Sequence, residues 1–247
     1  MPSRQRNVVL ALALLAPLAV LLIVAPPIAQ DPRYHVFADT RTLLGVPNFF
    51  NVASNLAFVL AGGMGALLCM SQRRSGAARA WACFFIAAAL VAVGSAYYHW
   101  APGDETLLWD RLPMAIAFMA LVSALLAEHV DERLELALLS TTLAVGIAAV
   151  AWWRYAGDLR PYVWVQFAPF VALLCLLAVF PPPYSHRAYL GYGAACYGMA
   201  KVCELYDAEI LRVTGISGHT LKHLLGALAV YCVYRMLRLR IRSRPLP

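Results

Sequence analysis

Apolar runs of membrane-spanning length recur along the chain, separated by short polar breaks. They cover roughly residues 8–25, 48–70, 78–99, 112–127, 134–153, 162–180, 188–205 and 217–237. A bilayer core of about 30 Å takes about 20 residues of helix, so the pattern predicts about eight transmembrane helices. The run at 112–127 is the shortest and needs its flanks to reach across. Pro26-Pro27 ends the first run, and Pro181-Pro182-Pro183 divides the sixth from the seventh. Arg4 and Arg6 ahead of the first run fit either a cleaved signal peptide or a retained helix. The run is long for a signal core, and Ala25-Pro26-Pro27 is a poor cleavage site, so a retained helix is expected. The predicted layout is 1–30 as a cytoplasmic end and first helix, 31–237 as a seven-helix domain, and 238–247 as a basic tail.

Few polar residues lie inside these runs, and each is costly in hydrocarbon unless it is used. The third run ends Ser95-Ala96-Tyr97-Tyr98-His99, and Asp110 opens the fourth. Asn48, Asn51, Ser54 and Asn55 open the second, Glu204 and Asp207 close the seventh, and His219 and His223 open the last. Successive spans alternate in direction, so the ends of odd helices and the starts of even ones share one side. All these groups meet that condition. His219 and His223 are also i, i+4 neighbours, on one helix face. They can share a metal ion, or they can form an interfacial pair hydrogen-bonded to neighbouring helices. His99 makes a sufficient set for catalytic zinc, which takes three protein ligands and keeps a fourth position open. Zinc makes hydroxide available at neutral pH by lowering the pKa of water toward about 7. Asp110 is then the candidate general base, or else a helix N-cap paired with Arg111. Ser95 is the candidate to hold the water or a developing oxyanion, or else it bonds its own helix backbone.

Composition sharpens the class. The 247 residues are 62% hydrophobic and 13% charged, whereas soluble domains run near 45–50% and 25%. The net charge of +7 is not a nucleic-acid signature, because the basic residues form no stripe with interleaved aromatics. They follow topology instead. Arg4, Arg6, Arg73, Arg74, Arg79, Arg133, Arg187, Arg235, Arg238, Arg240, Arg242 and Arg244, twelve in all, fall on one side. Arg33, Arg41, Arg111, Arg154, Arg160 and Arg212, six in all, fall on the other. That bias places both termini in the cytoplasm and every candidate ligand on the extracytoplasmic side. The six cysteines lie inside apolar runs with no CxxC spacing and read as core residues. Trp100, Trp109, Trp152, Trp153, Tyr155 and Tyr162 read as an interfacial belt. His35, His129 and His186 read as solvated, Lys201 with Glu204 as an i, i+3 ion pair, and Lys222, beside the histidine pair, as snorkelling or else as meeting a headgroup. A transporter relay through Asp110, Glu204 and the histidines is disfavoured, since no inverted repeat is visible.

Ser95-x-x-x-His99, Asp110 eleven residues on, and His219-x-x-x-His223 in the last helix together resemble the signature of the alkaline ceramidase family. That family belongs to the CREST group of seven-helix membrane hydrolases, with the adiponectin receptors as relatives. Asn48-Phe49-Phe50-Asn51-Val52-Ala53-Ser54-Asn55 is similar to the opening of the family's first core helix, and the likeness runs from about Asp39 to Arg235. The resemblance implies an all-α membrane protein, a seven-helix CREST-like bundle here preceded by one extra helix. It implies a zinc amidase that cleaves the N-acyl bond of ceramide or a related lipid into fatty acid and sphingoid base. It also implies His99, His219 and His223 as ligands, Asp110 as base and Ser95 as polar helper. Calcium-binding members carry an acidic cluster before the first core helix; this chain has Asp39 nearby and Asn48 where a Glu often stands. An acyl ester would suit the same zinc chemistry, and a receptor-like protein of little turnover is the competing class.

Overall fold

In a computed structural model, residues 2–71 and 76–242 are described. Arg73, Arg74 and Arg244 of the charge count lie outside them. The helices are α1 (Ser3–Val24), α2 (Phe49–Ser54), α3 (Leu56–Ser71), α4 (Ala78–Trp100), α5 (Asp104–His129), α6 (Glu135–Ala156), α7 (Arg160–Val179), α8 (Ala188–Leu205), α9 (Asp207–Thr214) and α10 (Gly218–Leu239). Six spans among the described residues are long and apolar enough to cross a membrane. The chain is an all-α membrane protein. Apolar side chains such as Leu67, Val93 and Leu174 stand about two-thirds exposed on its outside, the mark of a surface that meets lipid.

Several expectations change. The shortest predicted run becomes the longest helix, α5, with 26 residues. Its first turn is polar: Asp104 and Glu105 suit the positive end of the helix dipole, and the Thr106 hydroxyl bonds the carbonyls of Ala101 and Gly103. An apolar-run reading cannot see such a turn. The second run breaks at Asn55 into α2 and α3. The short helix α9 was not anticipated, since it is too short to register as a span. Helices α8 and α10 fall outside the six apolar spans because Lys201, Glu204 and Lys222 interrupt them, with Lys222 and Glu204 turned inward.

Helix contacts bring the polar ends together. A Cβ on Gly94 would stand 1.9 Å from the Trp109 carbonyl oxygen, so only glycine lets α4 meet α5 there. A Cβ on Gly218 would stand 2.1 Å from the Cys203 carbonyl oxygen, where the start of α10 abuts the end of α8. At the opposite end, Glu128 and Arg240 form a buried ion pair at 2.7 Å. The Trp81 indole donates to the same carboxylate at 2.7 Å, and the Arg240 guanidinium lies 4.1 Å over the Tyr184 ring. Arg242 bonds Glu132 at 2.6 Å. Arg240 and Arg242, within the basic stretch that begins at 238, are therefore tied into the bundle.

Helix α1 lies along α7. The Arg160 guanidinium donates to the Leu22 and Ala25 carbonyls at 3.0 and 2.6 Å, and the Trp164 indole to that of Leu14 at 3.0 Å. The buried Asp158 carboxylate accepts from the Ile28 amide at 3.2 Å and pairs with Arg160 at 2.8 Å. The Arg160 guanidinium holds its carboxyl well below the usual carboxylate range.

Candidate metal centre

The end of α4 and the start of α10 place His99, His219 and His223 together. One ring nitrogen from each lies within 4.8 Å of the others, and all three residues are buried. Helical spacing does half of this work, since His219 and His223 sit one turn apart on a single face. Ser217 caps α10, its hydroxyl accepting from the Thr220 amide at 2.9 Å, which fixes where that face points. The cap is itself anchored, because the Asn51 carboxamide oxygen accepts from the Ser217 and Thr220 hydroxyls at 3.2 and 2.9 Å.

The donor set fits a tetrahedral metal. Zinc–nitrogen bonds of about 2.0–2.1 Å place two ligating nitrogens about 3.3–3.4 Å apart. His99 Nε2 and His223 Nε2 are 3.2 Å apart. The Ser54 hydroxyl bonds His223 Nδ1 at 2.8 Å, which leaves Nε2 turned toward the centre. An outer partner of this kind sets the tautomer of a metal-ligating histidine. His99 Nδ1 is buried without a hydrogen-bond partner, so this ring is held by packing. Phe37 supplies that packing, its ring centroid 4.6 Å from that of His99 and 5.0 Å from that of His219. The Asp207 carboxylate joins the Phe37 loop to α10, accepting from the Ala38 amide at 3.0 Å and the His219 amide at 2.8 Å.

Asp110 and Ser95 are buried side by side at the head of a cavity that also reaches His223. Asp110 is not an N-cap, since α5 starts at Asp104, and Arg111 turns away from it. The Arg111 guanidinium bonds the Gln30 side chain at 2.6 Å and stacks 4.1 Å from the Trp153 ring and 4.9 Å from that of Tyr162. Trp153 and Tyr162 are accordingly buried and do not belong to the interfacial belt. The cavity is open to its surroundings, and about 1170 Å³ of non-atom space lies within and in front of it. Below Asp110 its walls are apolar, including Met114, Phe118, Leu121 and Leu125 of α5 and Leu190 and Val233 of α8 and α10. Asp110 to Leu125 spans roughly 22 Å at 1.5 Å per residue. That is more than half of a hydrocarbon core of about 30 Å, the depth one lipid chain fills.

Asp39 and Asn48, the calcium candidates, each have a protein partner. The Asp39 carboxylate pairs with Arg41 at 2.6 Å, which keeps it ionised below its ordinary range, and Arg41 also reaches the Gly215 carbonyl at 3.0 Å. The Asn48 amide donates to the His99 carbonyl at 2.8 Å from a left-handed backbone position. Asn48 thus positions a triad residue. His35, expected in solvent, bonds the Tyr98 hydroxyl at 3.0 Å and Asp104 at 3.1 Å. His129 likewise bonds the Leu125 carbonyl at 2.8 Å. Lys201 pairs with Glu204 at 2.7 Å as expected, whereas Lys222 does not snorkel but bonds Glu204 at 2.5 Å. Sequence reasoning missed Phe37 and Ser217 as supports of the site, and it placed Asp207 on the site's side without seeing its partners. A serine directly before the α10 run, the residue type and place of a helix N-cap, was the local signal that could have found Ser217.

Fold and site together define a helical membrane protein with a buried three-histidine centre opening on an apolar channel. A protein-family model described as Ceramidase matches residues 45–242, and the chain belongs to the ceramidase family. The chemistry of that family is hydrolysis of the amide bond of ceramide. A search of curated proteins finds no match.

Proposed function

We propose that the chain is a zinc-dependent amidohydrolase working inside the membrane on ceramide or a related N-acyl lipid, releasing fatty acid and sphingoid base. The observation that carries this reading is the meeting of three imidazoles with Ser95 and Asp110 at the head of an apolar channel. His99, His219 and His223 would hold the zinc, which when bound supplies a Lewis acid and makes water acidic near neutral pH. Asp110 accepts the proton that water loses as its oxygen adds to the acyl carbon. The same carboxyl then returns that proton to the amide nitrogen as the C–N bond breaks, so the amine leaves neutral and the water oxygen stays in the fatty acid. The Ser95 hydroxyl donates to the acyl oxygen as charge gathers there. The apolar walls hold the acyl chain and keep bulk water from the reacting bond.

The arginine distribution supports cytoplasmic termini and a site opening on the extracytoplasmic side. The anchoring of α1 by Arg160, Trp164 and Asp158 supports a retained first helix. The test is to incubate purified protein with ceramide, other N-acyl lipids and matched acyl esters, with and without a zinc chelator. Fatty acid is expected from the amides, lost with chelator and restored by zinc. Release from esters alone would move the activity to ester substrates, and no release from any lipid would favour a receptor-like protein.

A further inference from the structure

Four polar groups at the channel are not used by the hydrolysis described above. Lys222 and Lys201 both line the cavity, and both bond the single carboxylate of Glu204, at 2.5 and 2.7 Å. Two ammonium groups share this one carboxylate, and the next anion facing Lys222 is Asp110 on the same cavity. Lys222 and Glu204 are mostly buried, with side chains 16% and 17% exposed, so the Lys222 ammonium sits in a poorly solvated place. A buried ammonium there favours an anionic partner over a neutral one. The Tyr197 hydroxyl is the second observation. It is buried without a hydrogen-bond partner on the same cavity, one helical turn from Lys201 and within Coulombic reach of Lys222. The Phe118 and Phe170 rings pack against it, with centroids 5.5 and 5.1 Å away. Lys222 Nζ is also 3.4 Å from His219 Nε2, so the cluster stands at the edge of the triad.

An intact ceramide headgroup carries no charge to answer this cluster. A fatty acid does, because hydrolysis turns a neutral amide into a carboxylate at this depth. We propose that Lys222, with the Tyr197 hydroxyl, forms a seat for the carboxylate of the released long-chain fatty acid at the head of the channel. The proposal rests on the lipid-hydrolase reading. Glu204 and Lys201 hold the Lys222 ammonium in place, and Tyr197 donates the second hydrogen bond. Product is therefore retained in preference to neutral lipids of the same chain length, and Lys222 is a specificity-determining residue for the acid side of the reaction.

The test measures binding rather than turnover. Full-length protein stripped of metal in detergent is titrated with palmitate, hexadecanol and N-palmitoylglycine, at a pH where the acids are ionised. Wild type is expected to prefer palmitate over hexadecanol by about tenfold or more, the factor expected of a charge-assisted hydrogen bond. Lys222→Met should remove most of that preference while leaving hexadecanol affinity intact, Lys222→Arg should keep it, and Tyr197→Phe should lower it severalfold. The unchanged hexadecanol affinity separates loss of the seat from loss of the fold. Equal binding of palmitate and hexadecanol by wild type overturns the seat but leaves the hydrolase reading standing. An undiminished preference in Lys222→Met also overturns it, and tighter binding of N-palmitoylglycine than palmitate reassigns the cluster to a headgroup acid. Failure of wild type to bind any of the three overturns the lipid channel itself.

Discussion

Asp110 and the histidines separate cleanly at the level of single residues. Asp110 lies beside Ser95 on the channel wall, and the three imidazole nitrogens meet without it. Asp110→Asn is therefore expected to keep bound zinc and to lose about 10²–10⁴-fold in turnover, the usual worth of a general base. Metal analysis and a fatty-acid release assay on the same preparation check this, and normal turnover would reduce Asp110 to a packing residue. These residues were legible because their spacing is local or their cost in hydrocarbon is high. The His219–His223 pair is visible within a single helical turn, and Ser95, His99 and Asp110 stand out against apolar surroundings. Phe37 was not legible, and Asp207 was legible as a polar group on that side but not as a support of the triad, since each acts through contacts made across the fold. Lys222 was misread for the same reason: snorkelling is the sensible expectation for a lysine at a helix end until Glu204 is seen beside it.

Helices carry the site by close approach. Gly94→Ala would set a methyl 1.9 Å from the Trp109 carbonyl oxygen and push α4 from α5. Overpacking of this kind costs about 1–3 kcal/mol, so thermal unfolding should fall by several degrees and activity should fall with it. Gly63, with nothing within 4 Å of its would-be Cβ, is the control, and its change to Ala should be neutral or slightly stabilising. Asp158 ties α1 to α7 as an ionised carboxylate with a lowered pKa. A depressed folded-state pKa gives stability that is present above the ordinary carboxylate pKa of about 3.9 and lost as pH falls through the folded value. Asp158→Asn should therefore make α1 easier to clip by protease at neutral pH, and the difference from wild type should vanish in strong acid. An unchanged cleavage rate at neutral pH would show that the carboxylate holds nothing. Helix existence was legible from apolar run length, and boundaries were legible wherever Pro or Gly stopped the run. The start of α5 and the whole of α9 were not, because their polar turns are stabilised by caps and by neighbours rather than by apolar patterning.

The molecule as a whole places all its candidate chemistry at one end of the bundle and an ion-paired, aromatic cluster around Glu128 and Arg240 at the other. Alternation of spans had already predicted that single end, which is why the constellation was legible before any contact was known. The channel was not legible, since it is bounded by residues of six helices that no sequence window contains. A lone cysteine at Gly103, between α4 and α5, in a background without the six native cysteines, checks the orientation. Labelling of intact cells by a membrane-impermeant thiol reagent is expected, and labelling only after lysis would put the site in the cytoplasm. The central claim is that three histidines hold one catalytic zinc. Zinc content of purified wild type and of His219→Ala and His223→Ala, measured together with ceramide hydrolysis, tests it most directly. About one zinc per chain in wild type, with metal and turnover lost together in both variants, is the predicted result; full zinc occupancy in either variant would contradict it.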